Sequence, residues 1–192
     1  AGSSCSVSVD DIKVGNTAAE AIIAAFPDGA TGVEIGGQAG HVAANNRHTG
    51  FTEGIKGKNI EVLDYQNPSA WDTAEAQDIA QDMITKYGDK IQFIFTHWDN
   101  GATGVINALK AVNEPWANEV MIIGVDGNKT GFQQVESWPN YISIAQNAET
   151  ITSTVMEQSK KWLDADPAAV KDNIIEFDII SKETIGNFTA PE

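Results

Sequence analysis

The sequence predicts an α/β fold: an open, mostly parallel sheet with helices on both faces. Segments with strand character and segments with helix character alternate along nearly the whole chain, and each parallel pair of strands needs such a crossover. Stretches such as Ile91–Thr96 (IQFIFT) and Val120–Val125 (VMIIGV) are almost wholly apolar, as strands covered on both faces must be. Glycine, polar and aromatic residues gather just after the strands, where open sheets of this class bind ligands.

Val7 and Val9 end a first strand, and Asp10 or Asp11 caps a helix that runs to about Phe26. Val14, Ala18, Ala21, Ile22 and Ala25 recur at helical spacing and form its apolar face, and Pro27, Asp28 and Gly29 stop it. Gly32, Val33 and Ile35 form a short buried strand. A glycine loop with Gly36, Gly37 and Gly40 follows, then a helix from His41 to Gly54. Asn59–Asp64 is the next strand, anchored by Ile60 and Val62.

A polar loop, Tyr65 to Ala70, leads to a helix from Trp71 to about Tyr87, with Ser69 and Asp72 spaced as a capping pair and Gly88 as its stop. After the apolar strand Ile91–Thr96, Val105, Ile106, Leu109 and Val112 mark one face of a helix over 102–112. The strand 120–125 precedes a short helix near Thr130–Ser137 and a strand Tyr141–Ala145. A long helix, Ala148–Leu163, and a final strand, Ile174–Ile180, close the chain.

The chain carries a net charge of −15 and a sequence pI near 4.4, with its basic residues scattered. That argues against nucleic acid as a partner, since phosphate-backbone binding needs clustered Lys and Arg. One cysteine, Cys5, excludes an intrachain disulfide framework. No apolar stretch is long enough to span a bilayer, so membrane insertion is not expected. No charged-then-apolar signal segment is present in this sequence.

The glycine loop admits two readings. As a dinucleotide turn it would seat a pyrophosphate at the helix start, with Asp64 as the ribose acid, but Gln38 breaks the G-x-G-x-x-G spacing. The favoured reading is a neutral polar ligand held by His41, Asn45 and Arg47 at the head of the helix. The other strand ends are followed by Trp71, by His97 with Trp98 and Asp99, by Asp126, and by Gln146 with Asn147. Such a set fits a sugar, whose hydroxyls need bidentate polar partners and whose C–H faces need aromatic rings. Asp99 also reads as a plain helix N-cap and Asp126 as a turn residue. No nucleophile stands beside a base and no cluster of metal ligands is present, so neither catalysis nor a cofactor or metal is expected.

With those residues in view, the chain resembles the periplasmic sugar-binding proteins of the ribose-binding and glucose/galactose-binding kind, which share their fold with the ligand core of the lac-repressor family. The likeness is carried, in order, by Ser8–Gly15 (SVDDIKVG), Gly36–Phe51, Leu63–Asp78 with its AWDTAEAQD, Phe95–Leu109, Ile122–Gly127 (IIGVDG) and Ser143–Asn147. The resemblance implies that His41 and Arg47 are a hydrogen-bonding pair with Asn45 beside them. It makes Trp71 the aromatic wall and Asp126 and Gln146 partners of ligand hydroxyls. Trp98 stands where the family has an asparagine, and Ala43 where the glucose/galactose type has an acid, which leaves the sugar open and points to a more aromatic pocket.

The resemblance further implies a type I periplasmic binding protein-like fold with its first lobe largely absent, and an extracytoplasmic protein that hands a sugar to an ABC transporter permease. Residues 1–146 would be the ligand-binding C-terminal lobe, and 147–192 a segment that returns to a missing N-terminal lobe, or second chain, and back. An effector domain of a lac-repressor-like regulator is the alternative function, and a nucleotide-dependent enzyme a more distant one.

Overall fold

The structure, a computed structural model, describes residues 5–164 and 170–191. Its strands are β1 (Val7–Ser8), β2 (Ala30–Ile35), β3 (Ile60–Gln66), β4 (Phe93–Thr96), β5 (Met121–Asp126), β6 (Tyr141–Ala145), β7 (Asn173–Ile174) and β8 (Asp178–Ile180). The helices are α1 (Asp11–Ala25), α2 (Val42–Ile55), α3 (Thr73–Tyr87), α4 (Asp99–Val112), α5 (Lys129–Ser137) and α6 (Ala148–Leu163). The expected alternation and the mostly parallel sheet are both present.

The main sheet has six strands in the order β3-β2-β4-β5-β6-β8, parallel except for β8, which runs antiparallel to β6. Period-two alternation divides its side chains between two cores. Phe93, Phe95, Ile123 and Val125 meet Val14, Ala18, Ile22 and Phe51 of α1 and α2. Ile94 and Ile122 point the other way, into a cluster with Ala80, Met83, Val105, Leu109 and Val135 of α3, α4 and α5. The strand order reverses between β2 and β4, and that switch opens a crevice at their carboxyl ends.

The structure corrects the sequence reading at several element ends. The final strand, expected over Ile174–Ile180, is two strands. β7 pairs with β1 in a separate two-stranded parallel sheet, and β8 joins the main sheet. α3 begins at Thr73, not Trp71. Its cap is Asp72, which accepts from Glu75 N–H at 2.9 Å, while the Glu75 carboxylate reaches back to Ser69. The capping pair is therefore Asp72 with Glu75, and Trp71 is left in the loop. α4 starts at Asp99 rather than Ala102, with Trp98 at the cap position, so Asp99 is inside the helix and not its cap.

Candidate functional site

His41 caps α2, its Nδ1 accepting from Ala43 N–H at 3.2 Å, and among the described residues its Nε2 has no hydrogen-bond partner. Its ring meets Trp71 edge-on, with centroids 5.4 Å apart at 81°. Trp71 in turn meets Trp98 edge-on at 5.3 Å and 86°. Glycines make both indole positions possible. A Cβ at Gly37 would fall 2.0 Å from Trp71 Cη2, and one at Gly101 2.5 Å from Trp98 Cε2. Trp98 is almost fully buried, and its indole N–H has no hydrogen-bond partner among the described residues.

Arg47, one turn and a half into α2, is 4% exposed. Its Nε donates to Asp11 Oδ1 at 2.8 Å, its Nη1 to the His97 carbonyl, and its guanidinium lies 5.9 Å from the Trp71 ring centre. At the end of β5, the Asp126 carboxylate accepts from Gln146 Nε2 at 2.7 Å. Burial pushes the pKa of Asp126 up to about 6, against the pull of the Arg47 guanidinium. Beneath it the buried Asp99 accepts from Tyr141 Oη at 2.8 Å, Ser143 Oγ and the Gly127 N–H at 2.9 Å, and burial raises its pKa to about 7. Asp99 thus holds the turn on which Asp126 stands.

His41, Arg47, Trp71, Trp98, Asp126 and Gln146 line one pocket of about 410 Å³, together with Ala43, Asp11, Val7–Val9 and Ile151. Asn45 is not brought in: it is exposed on α2 and does not line the pocket, because the turn that carries Ala43 and Arg47 inward carries position 45 away. Sequence reasoning missed Asp11 as a pocket residue, offering it only as an alternative to Asp10 for the helix cap. Asp10 is the cap, accepting from Ile12 and Lys13 N–H, and that leaves Asp11 for Arg47. The adjacent pair of aspartates was the available signal, since one cap needs one carboxylate. Ile151 was missed because it lies on α6, far along the chain from the loops that supply the rest.

The nucleotide reading of the glycine loop loses its parts in the structure. Asp64 is bonded to Lys86 and Tyr87 at 3.1 Å each and lies outside the pocket, and the Gly37 N–H is engaged by His97 Nδ1. The pocket offers two carboxylates, one buried guanidinium already bonded to Asp11, amide and imidazole groups, and two indoles. That is chemistry for a neutral polar ligand with an apolar face.

Residues 1–166 match the family described as periplasmic binding protein domain. The ribose import binding protein of Haemophilus influenzae is 30% identical over 165 residues, covering 86% of this chain and 54% of that protein. The D-allose-binding periplasmic protein of Escherichia coli is 30% identical over 151 residues, covering 77% and 47%. The chain spans about half the length of the curated relatives it matches. Among solved structures, an ABC transporter solute-binding protein from Actinobacillus succinogenes with bound D-allose superposes with a TM-score of 0.86 at 20% identity, over 95% of this chain and 62% of that one. A periplasmic ribose ABC transporter protein from Conexibacter woesei gives 0.85 at 22% identity, over 97% and 62%. Those likenesses place the fold, and the match over residues 1–166 places the sequence: this chain belongs to the periplasmic binding protein family.

Proposed function

We propose that the chain is the ligand-binding portion of an extracytoplasmic solute-binding protein that takes up a neutral monosaccharide for an ABC transporter permease. The observation that carries this reading is the convergence of His41, Arg47, Trp71, Trp98, Asp126 and Gln146 on one pocket at the carboxyl ends of the strands. Asp126 and Asp11 disfavour a phosphorylated or acidic sugar, since Arg47 is already bonded to Asp11. The relatives' names, ribose import, fructose import and D-allose-binding, support a sugar as the ligand class. The chain's action on the ligand is binding, not catalysis.

In this reading residues 1–146, apart from β1, are the C-terminal lobe, and 147–192 run out to the other lobe and back to the main sheet at β8. Support comes from β1 and β7, which form a parallel pair with no further strand beside it among the described residues. Parallel sheets are stable when larger and covered on both faces, so a partner supplying more strands fits there. That partner is an N-terminal lobe on the same polypeptide or on a second chain. Closure between the lobes is the signal the permease reads.

The test is a thermal-shift screen of the chain against pentoses and hexoses at millimolar concentration, followed by calorimetry of any hit. One sugar is expected to raise the melting temperature, with wild-type affinity in the millimolar range, because each neutral hydrogen bond absent with the other lobe costs about 1 kcal/mol. A Trp71→Ala chain should lose the shift. A shift of equal size in Trp71→Ala, or no shift with any sugar even after the other lobe is added, sinks the reading.

A further inference from the structure

Behind the pocket lies a buried polar cluster. Glu34, on the central strand β2, is 1% exposed, and an unpartnered carboxylate there would be strongly destabilising. Two imidazoles meet it: His97 Nε2 lies 2.9 Å from Oε1, and His48 Nδ1 lies 2.8 Å from Oε2. His97 is fully buried, and the backbone N–H of Gly37 donates to its Nδ1 at 3.2 Å. A ring nitrogen that accepts carries no proton, so the His97 proton is on Nε2 and is donated to Glu34. Burial lowers the pKa of His97, which keeps this neutral form in place at neutral pH.

His97 reaches the ligand pocket by two routes. Its carbonyl accepts from Arg47 Nη1, fixing the guanidinium from the β4 side while Asp11 fixes it from α1. Its ring holds Gly37, and the Gly37 backbone is the floor under the Trp71 indole, close enough that a Cβ would fall 2.0 Å from Cη2. On the outer side His48 stacks on Tyr65, with centroids 3.9 Å apart and rings 4° from parallel, and covers Glu34 from solvent. The hydrogen bond to Glu34 raises the pKa of His48, which favours a positive charge facing the buried carboxylate.

We propose that Glu34 and His97 are positioning residues for the pocket: through the Gly37 amide their side chains set the aromatic wall, beside the Arg47 guanidinium that the main chain at His97 holds, with His48 closing the cluster. This rests on the pocket being the ligand site. A cluster serving only to neutralise Glu34 would not have its accepting nitrogen on the glycine that packs under Trp71, nor its histidine's main-chain carbonyl on Arg47.

The experiment uses the full chain and no sugar, so failure of the sugar reading leaves its result unaffected. Long-range 15N NMR at neutral pH should show His97 protonated at Nε2 and bare at Nδ1, with an NOE between Gly37 and Trp71 Hη2 and a slowly exchanging Arg47 Nε–H. His97→Phe keeps a flat ring and removes both side-chain bonds. It should lose the NOE, while the Arg47 Nε–H, bonded to Asp11, stays slow and core NOEs among Phe51, Phe93 and Phe95 persist. His97→Gln, whose amide can both donate to Glu34 and accept from Gly37, should restore the NOE. Protonation of His97 at Nδ1, or a folded His97→Phe with the NOE intact, overturns the proposal. If His97→Phe does not fold, loss of the NOE in a folded His97→Gln overturns it equally.

Discussion

Asp126 is a residue where backbone strain and a buried carboxylate both act on stability. Its φ of 129° lies in the region that favours glycine, a backbone cost on the order of 1–3 kcal/mol. Its carboxylate is buried with a pKa pushed up to about 6, so the folded chain holds that proton more tightly than the unfolded one. The resulting stability is fully present below the ordinary aspartate value and is lost as pH rises through about 6; Asp99 behaves alike through about 7. Asp126→Asn removes the first contribution and keeps an acceptor for Gln146. It should be more stable than wild type at about pH 8, by on the order of 2–3 kcal/mol, with a flatter dependence down to about pH 5. Melting temperatures at the two pH values check this; equal slopes in both chains would refute it. On the proposed function, in which Asp126 accepts from a ligand hydroxyl, the same variant should weaken sugar binding about tenfold through loss of a charge-assisted hydrogen bond.

At the scale of elements, the site depends on how closely α1 lies on α2. A Cβ at Gly15 would fall 2.0 Å from the Arg47 carbonyl oxygen, and one at Gly50 2.0 Å from that of Ile12. The helices therefore touch backbone to backbone, and this contact brings Asp11 within 2.8 Å of Arg47. Gly15→Ala or Gly50→Ala should destabilise the fold by about 1–3 kcal/mol, because the neighbour that must move is main chain. Thr49→Ala, exposed on the same helix, should stay within about 0.5 kcal/mol. Chemical denaturation of the three variants makes the comparison. An alanine tolerated at both glycines would mean that the helices can separate without cost, and the Asp11–Arg47 pair would need another explanation.

Over the whole molecule, exposed apolar side chains concentrate on one region. Val155, Met156, Trp162 and Leu163 of α6, and Ile174 of β7, are all exposed. Cys5, Val7, Val155, Gln158 and Trp162 line a hollow of about 370 Å³ there, which shares Val7 with the polar pocket. This region adjoins the short β1-β7 sheet, where the proposed other lobe would continue the strands. The isolated chain should accordingly bind a hydrophobic dye, and a Trp162→Glu, Leu163→Glu double variant should bind less of it with little loss of melting temperature. Dye fluorescence unchanged in the double variant would place the apolar surface elsewhere.

The sequence determined the strand and helix alternation, because each periodic apolar face is a local property of ten or so residues. It also determined the pocket residues that follow strands, because in a parallel sheet the carboxyl ends of the strands come together whatever the details of packing. Asn45 was beyond it: adjacent positions on a helix head point differently, and only the docking of α2 on α1 decides which face turns inward. The split of the last strand into β7 and β8 was beyond it as well. Each piece sets β-branched isoleucine beside one polar residue, and which sheet each joins depends on partners far away in sequence. The Glu34–His97–His48 cluster is the clearest case. Its members sit on β2, after β4 and on α2, and a buried carboxylate becomes tolerable only where the tertiary fold brings two imidazoles to it.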